Sequence, residues 1–250
     1  MRKMTLSLVL IFIFMGHVLG DFYFQTDKMV KKRKEQYTAV LRHGVIYAIV
    51  MLATLFIGVS NVLDSIGLCI LTALFHLGID SVKFLYEKRW KEKIPWITKH
   101  MFVIDQIIHF LSIIIAWLIL GRDLLAREPF MLKIGALPVL PVVFVLGILC
   151  ILRPVGIWIS ESDLRKYNTQ ESNTNDKKHA GRIIGYWERV IVFILLIYEQ
   201  FGAIGFVLTA KSVARFKEIE SNQDIAEYYL IGTLMSMGAV IVIWAILGLF

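Results

Sequence analysis

Long apolar runs constrain this chain more than any other feature. They lie near residues 3–20, 40–60, 65–86, 101–120, 132–153, 184–210 and 228–250, with polar stretches between them. The hydrocarbon layer of a bilayer is about 30 Å thick, and a helix needs roughly 20 residues to cross it. The runs therefore predict an all-α integral membrane protein, a bundle of about seven transmembrane helices. Composition agrees: 57% of the 250 residues are hydrophobic and mean hydropathy is +0.67, whereas a soluble domain is about 45–50% apolar.

Several runs carry irregularities. Residues 1–20 have the basic start and apolar centre of a cleavable signal peptide. A retained first helix is the preferred expectation, because cleavage after Gly20 would discard His17. A tight turn around Ser60, Asn61 and Asp64 joins the second and third runs. Pro138 and Pro141 should kink or break the fifth. The sixth is too long to stand upright, since 27 residues at about 1.5 Å each reach about 40 Å. It should tilt or run out along the interface. The polar stretch Lys166–Lys178 has no apolar periodicity and reads as a flexible loop. The organisation expected is a five-helix part at 1–153, a polar cytoplasmic linker at 154–183 and a two-helix part at 184–250.

Charge sets the topology. The chain has 27 Lys and Arg against 20 Asp and Glu, a net charge of +7. The basic residues gather in 21–38, 87–100 and 154–183, while the alternate loops are poorer. The positive-inside rule places these stretches in the cytoplasm, the N-terminus outside and the C-terminus inside the cell (inner) membrane. The partner expected is the lipid bilayer with its anionic headgroups, not nucleic acid. No residue pattern fixes an oligomeric state. Cys69 and Cys150 both lie in apolar runs and read as buried free thiols.

Chemistry concentrates where ionisable residues enter the apolar runs. His17 and Asp21 stand four residues apart, as do His76 and Asp80, and Asp105 and His109; His43 stands alone. A four-residue step puts both members of a pair on one helix face. Antiparallel helices would bring all seven to the same side of the membrane. Imidazole and carboxylate are common ligands of zinc and of other divalent metals, and helical bundles build metal sites by projecting such residues inward. Seven candidates exceed the needs of one four-coordinate ion, which leaves outer-sphere roles or a second ion. An open position would activate water for hydrolysis of a lipid-level substrate. Two other readings stay open: a hydrogen-bonded structural cluster, and a proton or ion relay in a transporter. HExxH, GxSxG and P-loop motifs are absent.

Further candidates flank this group. Gln25 continues the His17–Asp21 face and is a candidate substrate contact or a helix cap. In the sixth run, Glu188 is a candidate general base, and Arg182 and Arg189 are candidate phosphate contacts. Interfacial anchoring explains those arginines equally. Glu199 falls near mid-span, where a carboxylate needs a proton or a partner. Lys211 and Arg215 should snorkel at the far end, and Gly202 and Gly205 should serve helix packing.

The stretch from His17 to Thr26, followed by lysine-rich sequence and Leu41-Arg42-His43, resembles the opening signature of the bacterial and phage membrane family catalogued as domain of unknown function 3307. His76–Asp80 and Asp105–His109 resemble its next two elements. Gly181-Arg182, Glu188-Arg189, Ala203–Phe206 and Ala226–Leu234 resemble the back of its longer members. The resemblance implies a retained first helix and no particular activity. Its His/Asp signature is similar to those of membrane-embedded metal-dependent hydrolases, an analogy that does not fix function.

Overall fold

The computed structural model describes residues 2–125, 140–162, 175–221 and 223–248, and among them every regular element is helical. The chain forms two compact units, residues 1–146 and 147–249.

In the front unit, α1 (Arg2–Val18) runs on through a π-helical turn, Leu19–Tyr23. The chain then bends by 85° into α2 (Asp27–Glu35). Thr26 makes that corner, its Oγ1 accepting from the Met29 N–H at 3.3 Å. Helix α2 carries Lys28, Lys31, Lys32, Arg33 and Lys34 and buries no residue, as a helix lying at a polar surface should. Next come α3 (Tyr37–Gly58) and α4 (Val62–Arg89). Their turn lies where the sequence places it. Asn61 Oδ1 accepts from the Leu63 N–H at 2.9 Å, and Ser65 Oγ donates to the Asn61 carbonyl at 2.9 Å. Pro95, harmless at a helix start because its missing N–H would be unpaired anyway, opens α5 (Pro95–Ala116), which continues through a second π-turn, Trp117–Gly121.

Helix α3 packs between α1 and α4, and α5 packs on α4. Close approach of α1 to α3 depends on Gly16 and Gly20, a small-xxx-small pair of the kind that lets membrane helices touch. A Cβ on Gly16 would lie 2.5 Å from Thr54 Oγ1, and one on Gly20 2.9 Å from Tyr47 Cδ2. Each of these glycines immediately precedes a candidate ligand, His17 or Asp21.

The front unit is apolar outside and buries its histidines inside. Val45, Ile49 and Leu74 are 60%, 63% and 62% exposed, while His17, His43, His76 and His109 are at most 1% exposed. A soluble bundle does the reverse, so this distribution fits a lipid surround.

In the back unit, α6 (Leu140–Glu161) begins before the unit boundary and is followed by α7 (Asn175–Ile197), α8 (Phe201–Ala214), α9 (Phe216–Ser221) and α10 (Gln223–Leu247). Its core joins Ile151, Val192, Phe193, Leu196, Met237 and Val240. Pro154 sits inside α6, where a proline opens the preceding turn of the helix. Arg189, 4% exposed, occupies that opening. Its Nε donates to the Ile151 carbonyl at 2.6 Å and its Nη2 to the Leu152 carbonyl at 3.3 Å.

Among the described residues, five helices are long and apolar enough to cross a membrane, or six if the bent pair Leu8–Tyr23 and Asp27–Glu35 counts as one span. The difference from about seven comes from the run at 184–210, expected as a single tilted helix. It breaks at residues 198–200, where Glu199 adopts the left-handed conformation with φ 56°. Helices α7 and α8 pack on each other across that break. Glu199 therefore stands exposed at the break between α7 and α8. Pro141 is the second residue of α6, where it is tolerated; Pro138 lies outside the described residues. The stretch 154–183 contains the end of α6 and the start of α7, with 163–174 outside the described residues.

Candidate metal centre

All seven His and Asp candidates converge in the front unit. Helix α1 delivers His17 and its π-turn Asp21; α3 delivers His43, α4 delivers His76 and Asp80, and α5 delivers Asp105 and His109. The π-turn matters locally, because an extra residue in one turn re-aims the side chains it carries.

The tightest part is a ring of four ligand-type atoms. His43 Nε2 lies 3.1 Å from His76 Nε2 and 3.1 Å from Asp21 Oδ1. Asp80 Oδ2 lies 3.7 Å from His43 Nε2 and 3.6 Å from His76 Nε2, and Asp21 Oδ1 lies 4.0 Å from His76 Nε2. Two imidazole nitrogens facing each other between two carboxylates hold at most one proton between them. Asp21 accepts it from His43, which leaves the His76 Nε2 lone pair aimed at the same point.

Beside this ring stands a second group. His109 Nε2 is 3.8 Å from Asp80 Oδ1 and 3.6 Å from Asp105 Oδ1. It has no hydrogen-bond partner although it is buried. His17, His76 and His109 form another set whose ligand atoms lie within 4.8 Å of one another. The imidazoles are stacked: Tyr47 on His76 at 3.7 Å between centroids, and His76 on His109 at 4.4 Å.

Four residues that the sequence pattern does not single out complete the cluster. Arg33 Nη1 donates to Asp80 Oδ2 at 2.9 Å, and Lys83 Nζ to Asp105 Oδ2 at 2.7 Å. Gln106 Nε2 donates to Asp21 Oδ2 at 3.2 Å, and its Oε1 lies 3.4 Å from His17 Nε2. A carboxylate accepts only, so the amide must turn its nitrogen to Asp21 and its oxygen to His17. The proton of His17 is then on Nε2, and Nδ1, which has no partner, presents a lone pair. Tyr47 is the fourth. Three of these carried a usable signal: Lys83 and Gln106 stand inside apolar runs beside Asp80 and Asp105, and Tyr47 follows His43 by four residues.

The remaining candidates are held elsewhere. Gln25 is buried in the corner between the π-turn and α2, its Nε2 without a hydrogen-bond partner among the described residues. In the back unit Glu188 accepts from Lys211 Nζ at 2.6 Å, a contact made when α8 folds back along α7, so Lys211 does not snorkel away. Arg189 is committed to the backbone carbonyls of α6, and Arg182 is exposed.

Fold and cluster together define a polytopic helical membrane protein with a buried histidine–aspartate centre in its front unit. Residues 9–131 match the family described as Protein of unknown function (DUF3307). The chain resembles that family over this stretch, which lies within the front unit and contains every His and Asp of the cluster. The likeness expected over residues 181–234 falls beyond the match. No curated protein and no solved structure matches the chain.

Proposed function

We propose that the front unit is a membrane-embedded divalent-metal centre that activates water to hydrolyse a substrate at the headgroup level. The carrying observation is the ring formed by Asp21 Oδ1, His43 Nε2, His76 Nε2 and Asp80 Oδ2. Zinc bound to nitrogen and oxygen at about 2.0–2.1 Å in a tetrahedron separates its ligands by about 3.3–3.4 Å. Five of the six separations among these atoms run from 3.1 to 4.0 Å, close to tetrahedral spacing, and Asp21, His43 and His76 form a set whose ligand atoms lie within 4.8 Å of one another. Entry of the ion expels the proton that His43 now donates to Asp21.

The competing readings fit less well. A structural cluster should satisfy its buried polar atoms, yet His109 Nε2 and His17 Nδ1 are left without hydrogen bonds. A relay needs a continuous polar path, and the buried Thr54, Ser65 and Thr72 of the front unit donate to backbone carbonyls instead. In this reading the chain occupies the cell (inner) membrane with its N-terminus outside. The centre and the basic helix α2 then lie on the cytoplasmic side, and so does the C-terminus.

The test is metal content by elemental mass spectrometry on full-length protein purified in detergent, beside the His43→Ala/His76→Ala variant. Near-stoichiometric zinc or another divalent metal in the native protein, lost in a variant of unchanged helicity, supports the proposal. Native protein that stays metal-free after dialysis against zinc overturns it.

A further inference from the structure

The ring uses only one oxygen of Asp80. The other, Oδ1, faces away from it toward His109 and Asp105. His109 is 1% exposed and its Nε2 makes no hydrogen bond, so a basic nitrogen is held dry between two carboxylate oxygens at 3.6 and 3.8 Å. Those separations match ligands of one ion as well as the ring's do. His17 lies within ligand reach of the same corner, in a set with His76 and His109. A carboxylate that offers one oxygen to each of two such sets is the geometry of a bridge, and bridged ions about 3.5–4 Å apart clamp the oxygens of a transferring phosphoryl group.

Charge points to the same ligand. Without metal, Asp21, Asp80 and Asp105 exceed Arg33 and Lys83 by one negative charge. Two divalent ions reverse that to a clear positive excess in a site walled by lipid-facing helices. Arg33 now donates to Asp80 Oδ2, the oxygen that the first ion would take. Displaced, its guanidinium, 15% exposed, is left beside two cations and needs an anion. A guanidinium next to a metal pair suits the tetrahedral oxygens of phosphate.

Resting on the metal reading above, we infer that the centre takes two divalent ions bridged by the Asp80 carboxylate, and that the group laid across them and Arg33 is a phosphate. The phosphate belongs either to a lipid headgroup or to a water-soluble ester.

Full-length protein in dodecyl maltoside, dialysed against zinc, tests the first half by metal count. The expected result is two ions per chain in the native protein and one in His109→Gln and in Asp105→Asn. The second variant is nearly isosteric and guards against a folding defect in the first. One ion in the native protein, unchanged in both variants, overturns the second site and leaves the first standing. None in the native protein overturns both. Calorimetric titration of the zinc-loaded protein with inorganic phosphate tests the second half. Binding should weaken at least tenfold in His109→Gln and in Arg33→Gln; no binding to the two-ion protein, or equal binding in the variants, overturns it. Displacement of phosphate by phosphatidic acid added to the micelles assigns the lipid source, and displacement by glycerol phosphate the soluble one. Failure of both to displace it overturns an ester as the ligand.

Discussion

In the proposed centre Arg33 and the metal would compete for the same oxygen, so removing the arginine should strengthen metal binding. Arg33 Nη1 is 2.9 Å from Asp80 Oδ2 and 3.9 Å from Asp21 Oδ1, two of the four ligand atoms of the ring. An incoming ion must break the first contact and moves into the guanidinium's field. A hydrogen bond to a charged group contributes about 1.5–3 kcal/mol. Both partners here are well covered, at 15% and 6% exposure, so solvent screening removes little of that. At about 1.4 kcal/mol per tenfold change in affinity, Arg33→Gln should tighten zinc binding by about 10- to 100-fold. The lower end is the better expectation, because glutamine keeps a neutral donor at the position. Competition against a fluorescent zinc chelator, with native and variant protein in the same detergent, measures the ratio directly. The same variant should bind phosphate more weakly, so the two affinities move in opposite directions. A zinc affinity that is unchanged or lower in the variant would refute the competition and, with it, the assignment of Asp80 Oδ2 as a ligand.

Two other substitutions probe how the fold holds the centre. Gly20→Val places a branched side chain where even a Cβ meets Tyr47 at 2.9 Å, which should push the π-turn and Asp21 away from His43. Overpacking of this kind costs about 1–3 kcal/mol; a lowered unfolding temperature in detergent, together with lost metal content, is the expected pair of readouts. Glu199→Gly should stabilise the protein by up to about 1 kcal/mol, because φ 56° is strained for glutamate and free for glycine. The thermal shift should rise while metal content stays unchanged.

How much of this was written in the sequence follows from where each residue sits. Histidine and aspartate at four-residue steps inside apolar runs are conspicuous, and antiparallel packing of neighbouring helices suffices to bring them together. The Ser60–Asn61 turn was legible from its polar residues. The break at Glu199 was not. Apolar runs lie on both sides of the Glu199–Gln200 pair, and the nearest glycine, Gly202, falls inside α8 and not at the turn. Periodicity cannot tell one long helix from two that fold back on each other. Gly16 and Gly20 formed a visible small-xxx-small pair, but only the packed structure shows that they set the distance between α1 and α3.

Arg33 was hidden for a reason that belongs to membranes. An ionisable group deep in lipid is costly, so the buried histidines and aspartates stand out against their apolar neighbours. A basic residue at the headgroup level costs nothing and is expected there for topology alone. Lys83 lies inside the apolar run 65–86, where it is as conspicuous as Asp80; Arg33 belongs to the basic stretch 21–38, and in one dimension Arg33 and Lys32 look alike. What separates them is direction: α2 lies bent 85° from α1, and of its five basic side chains Arg33 reaches Asp80. The cost that reveals a buried site thus conceals a charged group at its edge.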